Sequence, residues 1–169
     1  MNRRMIIFFL AGLSVPFIAL FAFVMLGGLP TSTEESPLPF ERTFANFVIH
    51  LAMQQKPESG TPLEVNEQNL QSGIKVYLTN CSVCHGVPNT PESPIALGMF
   101  PKPPQLFLAD QGVTDDPESE IYWKIKNGIR LTGMPGFQKT LTTQELWQVT
   151  QLVHEADKLP ASALKALQN

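Results

Sequence analysis

Cysteine is nearly absent from this chain of 169 residues, and charge is sparse at 16%. Two cysteines cannot build a disulfide framework, and because they stand three apart, as Cys81 and Cys84, they require one local explanation. Positive charge is not in excess: 12 Lys and Arg face 15 Asp and Glu, a net charge of −3. The chain therefore lacks the electrostatic footprint of a nucleic-acid binder, and no nucleic-acid partner is expected. Strand-like alternation and internal repeats are also missing, which leaves an all-α reading. Two large domains are excluded at this length; one modest domain with additions fits.

A second absence is local. From Met5 to Leu29 there is no charged residue over 25 positions, more than the roughly 20 that span a hydrocarbon core as a helix. A cleaved secretory signal needs a shorter apolar core of about 7–15 residues and an Ala-x-Ala-like site, and neither feature is present. Residues 1–29 are expected to form a transmembrane anchor, with Pro16 tolerated in mid-span. Arg3 and Arg4 mark the inner side, and no Lys or Arg follows until Arg42, so everything after Leu29 should face outward.

Residues 30–39 (PTSTEESPLP) have the composition of an extended, solvated linker. Residues 40–54 then place Phe40, Phe44, Phe47, Val48 and Leu51 on one stripe, an amphipathic helix whose apolar face packs on the outer domain or lies on the membrane or a partner subunit. His50 within it reads as structural. Pro57, Ser59, Gly60 and Pro62 make a second linker, so residues 30–65 connect the anchor to a main domain over 66–169.

In that domain Asn66 is positioned to cap a helix with Leu70, Gly73, Ile74, Tyr77 and Leu78 on its apolar face. Asp116-Pro117 reads as a cap and first position of a second helix, carrying Ile121, Tyr122, Ile125 and Ile129. Thr142 and Glu145 form a capping box for a third, which is expected to run to about Lys158. Between the first and second, residues 86–110 hold six prolines and little periodicity, long for a structureless connection unless a buried cofactor supplies a core to wrap.

Cys81-Ser82-Val83-Cys84-His85 is CxxCH, in which two thiols can bond the two vinyl groups of one haem while the adjacent imidazole reaches its iron. The same five residues are compatible with a thioredoxin-like dithiol or half a zinc site. Zinc lacks a second cysteine pair here, and a dithiol oxidoreductase wants a strand before the motif, where this sequence predicts a helix.

Together, Gly73-x-x-x-Tyr77-x-x-x-Cys81-Ser82-Val83-Cys84-His85-Gly86, the Pro103-Pro104-Gln105-Leu106 segment, and Ile121-Tyr122-Trp123 through Gly133-Met134-Pro135-Gly136-Phe137 resemble class I c-type cytochromes. The resemblance is to small bacterial periplasmic or membrane-anchored monohaem members, and covers most of residues 66–158. It implies three main helices around one haem c attached through Cys81 and Cys84, with His85 as proximal ligand and Met134 as distal ligand. Met99 is the one other methionine of that domain in range, and reads as a space-filling thioether. Pro104 resembles the family proline whose carbonyl accepts the proximal imidazole N–H. Tyr122 and Trp123 stand where relatives have an aromatic that binds a haem propionate, although packing explains a helical aromatic as well. Lys126 and Arg130 are further propionate candidates. Gly73, Tyr77 and Trp147 resemble the residues of the helix crossing that closes this fold.

The activity so implied is single-electron transfer rather than substrate chemistry. The expected protein is a single-pass membrane-anchored cytochrome of a bacterial inner membrane, haem domain on the periplasmic side, serving redox partners as a subunit of a respiratory or photosynthetic complex. The alternative from the enzyme class is a haem with a labile sixth ligand that binds gas or reduces peroxide; no distal catalytic pair is recognisable for it.

Overall fold

The computed structural model describes residues 2–56 and 63–168. Among these no strand occurs, and eight helical segments follow one another along the chain. The sequence and the fold agree on the all-α class. Most of the second linker, residues 57–62, lies outside the described residues.

The chain divides into two compact units, Met1–Phe44 and Ala45–Asn169. In the first, helix α1 (Arg3–Met25) contains Pro16, and none of its described residues is buried. With a mean hydropathy of 2.5 it is long and apolar enough to cross a membrane. The segment after it is less extended than its composition predicts, because the Glu35 carboxylate accepts from the backbone N–H groups of Thr31 and Ser32 and closes a turn.

Helix α2 (Glu41–Gln55) begins in the first unit and continues into the second. Its Phe40–Leu51 stripe stays largely exposed, Phe44 at 68% and Phe47 at 62%. The one α2 side chain that is buried, Met53, lies on the other side of the helix.

The second unit is built on helix α3 (Glu67–Asn80) crossing α7 (Thr143–His154), with α6 (Glu118–Asn127) packed on α7. Asn66 caps α3, its side-chain oxygen accepting from Asn69 N–H at 2.9 Å, and satisfies one of the N–H groups a helix start leaves without a partner. The reciprocal box at α7 joins Thr142 and Glu145. At α6 the expected cap is corrected: the helix starts after Pro117, and Asp116 instead bonds Lys124 Nζ at 2.7 Å. A carboxylate that finds an ammonium eight residues on has no need to satisfy a backbone N–H. Likewise α7 ends at His154, before the expected Lys158, in a run of turns.

At the α3–α7 crossing, a Cβ added to Gly73 would strike the carbonyl of Gln148, so only glycine lets these backbones meet. Around it Tyr77, Val149 and Leu152 are fully buried, and Trp147 stacks on Tyr122 with ring centroids 4.2 Å apart. Two short helices join these, α4 (Ser82–His85) and α5 (Pro94–Leu97). A last one, α8 (Ala161–Ala166), packs on α3 and buries Ala163 with Leu167 beyond it. Six residues after a proline carry too little periodicity to be read from sequence.

Candidate functional site

Between these helices lies a cavity of about 400 Å³, mostly apolar, entirely within the second unit. Cys81, Cys84, His85, Pro104 and Met134 all line it. The proximal part is set by local backbone. Helix α3 ends at Cys81, and the next turn, α4, carries Cys84 and His85, with Cys84 and His85 N–H both donating to the Cys81 carbonyl. One helical turn thus directs two thiols and an imidazole into the same space. Gly86 then leaves the helix at a φ of 69°, in the left-handed region, where glycine is unstrained. The Tyr77 hydroxyl donates to the Gly86 carbonyl at 2.8 Å and ties α3 to this turn.

His85 Nδ1 is 2.8 Å from the Pro104 carbonyl. A carbonyl can only accept, so Nδ1 carries the proton and Nε2 keeps its lone pair for a metal. Burial lowers the His85 pKa, opposed by this hydrogen bond, and the imidazole is held neutral as a ligand must be. Gln105 fixes the proline segment: its amide donates to the Cys84 carbonyl at 3.1 Å, and Leu106 N–H donates to the His85 carbonyl at 3.4 Å.

The two cysteines are not joined to each other in a disulfide. Burial, reinforced by neighbouring Cys84, pushes the Cys81 pKa up to about 12. A dithiol oxidoreductase needs the reverse, a thiolate stabilised near neutral pH. No group of three or more His, Cys, Asp or Glu suited to a metal ion occurs among the described residues, so the zinc reading finds no further ligands.

Met134 enters from a loop clasped to the end of α6. Its N–H donates to Thr132 Oγ1 and its carbonyl accepts from Ile129 N–H, each at 3.1 Å. Phe137 and Gln138 N–H donate to the Ile125 and Lys126 carbonyls, also at 3.1 Å. A Cβ on Gly128, whose φ is 70°, would lie 2.5 Å from Gly136 N, so two glycines allow the loop to lie directly on the helix end. Met99 also lines the cavity, and its terminal methyl group fills the space beside Gly133. That makes it a packing support for the Met134 loop.

Tyr122 and Trp123 are not among the cavity-lining residues; the Tyr122 ring is buried against Trp147. Lys126 lies 5.7 Å from the Tyr122 ring centroid, and neither it nor Arg130 lines the cavity. The lysines that do are Lys102, paired with Glu92, and Lys124 of α6, paired with Asp116. The signal for Lys124 was in the sequence: Ile121, Lys124 and Ile125 fall at i, i+3 and i+4, so Lys124 shares the inward stripe. Four residues of α2 also line the cavity, Asn46, Ile49, His50 and Met53.

Two thiols on one helical turn, a neutral imidazole with a free Nε2, a thioether on a separate loop and apolar walls are the donor set and surroundings that a covalently bound haem requires. The sequence model of the family described as cytochrome c oxidase, cbb3-type, subunit III matches residues 68–153. No curated protein matches the chain. Among solved structures, a chain of the reducing HAO-like protein complex from Kuenenia stuttgartiensis is similar at 28% identity and a TM-score of 0.49. The alignment covers 60% of this chain and 51% of that one, so the present chain spans about half its length.

Proposed function

The chain belongs to the cbb3-type cytochrome c oxidase subunit III family, a family of class I c-type cytochromes, and from that premise we propose that it is a membrane-anchored monohaem cytochrome c passing single electrons between redox partners. The observation that carries this reading is the meeting of Cys81, Cys84, His85 and Met134 in one apolar cavity with His85 Nδ1 bonded to Pro104.

Haem c, when bound, supplies a one-electron iron couple. Cys81 and Cys84 would hold it through thioether bonds, and His85, its Nδ1 bonded to the Pro104 carbonyl, would offer Nε2 to the iron. Met134 would offer the iron a neutral thioether, a donor that favours the ferrous state and raises the potential. With His85 and Met134 both held in place by the chain, a change of oxidation state in a bound haem would demand little rearrangement of the protein. The apolar walls exclude water and act in the same direction.

Helix α1 has the length and composition for an anchor, with the haem domain on the outer side of a bacterial inner membrane according to the position of Arg3 and Arg4. Tethering raises the effective concentration of the domain near its partners. The exposed Phe44 and Phe47 favour a fixed subunit of a respiratory complex over a free shuttle, because a solvent-facing aromatic stripe near an anchor is suited to packing against another membrane subunit.

Oxidised and reduced absorption spectra with haem quantitation test the reading. One covalent haem per chain, a low-spin c-type spectrum and a methionine–iron band that Met134→Ala abolishes are expected. Absence of covalent haem overturns the proposal. A high-spin spectrum indifferent to Met134→Ala replaces electron transfer by ligand binding or catalysis.

A further inference from the structure

Helix α2 precedes the family-matched region, residues 68–153, yet it contributes to the same cavity. Asn46, Ile49, His50 and Met53 recur at i, i+3, i+4 and i+7 and form one continuous stripe. At 100° per residue this stripe lies roughly 150° round the helix from Phe44, Phe47 and Leu51.

The orientation runs against simple burial. An amphipathic helix stabilises a fold by covering its bulkiest apolar face, but here the aromatic stripe stays in solvent while an aliphatic and a thioether side chain turn inward. Met53 is 6% exposed and Ile49 half-buried, whereas Asn46 and His50 stand exposed at the cavity mouth. Apolar groups deep and polar groups at the rim are complementary to a flat apolar ring with a polar edge.

We propose that residues 46–53 form an additional wall of the haem site, with Ile49 and Met53 in contact with the haem and shielding it from water. The inference rests on the haem reading above and adds to the family's domain a segment upstream of it. Exclusion of water disfavours the more highly charged ferric form, so this wall raises the potential.

The test uses the full chain in detergent, reduced, with its methionine methyl groups labelled with carbon-13. A Met53 methyl resonance displaced upfield by the haem ring current is expected, assigned by its loss in Met53→Leu. Met53→Asp should lower the midpoint potential, while Gln54→Asp, with the same charge on the exposed neighbouring position, leaves it unchanged. A Met53 methyl at the position of a solvated methionine overturns the inference, as do equal potentials in the two aspartate variants. If the Asp variant fails to fold, the wild-type and Met53→Leu spectra still decide. A wild-type chain carrying covalent haem but an unshifted Met53 methyl refutes this wall alone; a chain without covalent haem refutes the cytochrome reading and the wall with it.

Discussion

The imidazole of His85 donates through Nδ1 to the carbonyl of Pro104, nineteen residues further along the chain, at 2.8 Å. The acceptor is main chain, so its placement depends on what holds the proline segment. Gln105, 5% exposed, does this through its bond to the Cys84 carbonyl. Gln105→Leu leaves that carbonyl without its partner, a cost of about 1–3 kcal/mol for a buried polar group. Loosening the Pro104 acceptor also makes His85 a less basic ligand. Thermal unfolding should show the destabilisation, and redox titration a raised midpoint potential.

Gly73 is the narrowest point of the α3–α7 crossing. In Gly73→Ala the new methyl group meets the backbone of Gln148 rather than a movable side chain. Overpacking of about 1–3 kcal/mol then outweighs the helix-propensity gain of about 1 kcal/mol. A lowered melting temperature is expected; an unchanged or raised one means the crossing has room.

The capping box of α7 gives a pH signature. The Thr142 backbone N–H, followed by its hydroxyl, holds the Glu145 carboxyl below its ordinary value. A depressed folded-state pKa contributes stability that is complete above the unfolded value and lost as pH falls through the folded one. The stability gap between the wild type and Glu145→Gln should therefore be present at neutral pH and close in acid. Thr142→Ala, which removes the cap oxygen, should cost about 1 kcal/mol.

Phe44 and Phe47 lie outside the cavity lining and are largely exposed. If the chain is the complex subunit proposed above, replacing both by Asp should release it from its partners during mild-detergent purification while the haem spectrum stays the same. Retained co-purification removes this face from the interface.

Local chemistry made much of this molecule legible in sequence. The Asn66 cap, the Thr142–Glu145 box and the uncharged run of α1 are each specified by neighbouring residues. CxxCH is legible for the same reason, since one helical turn brings its three side chains together. What was not legible depends on choices between faces. Helix α2 carries two stripes, and periodicity ranks the phenylalanines first although Met53 is the residue buried. Asp116 has the local signature of a cap because Pro117 follows it, but Lys124, eight positions away, takes its carboxylate. Tyr122 sits beside Trp147 because the helix crossing, which no local pattern encodes, offered it a ring to stack on.

The loop that carries Met134 is held by Ile129, Phe137 and Gln138 N–H groups, by the contact between Gly128 and Gly136, and by the Thr132 hydroxyl that accepts from Met134 N–H, none of it the Met134 side chain. The socket is thus indifferent to the plug. Substituting the side chain at position 134 should change the chemistry presented to the cavity without changing the address at which it is presented, so this one position is a tuning point that selection or a protein engineer can adjust independently of the fold.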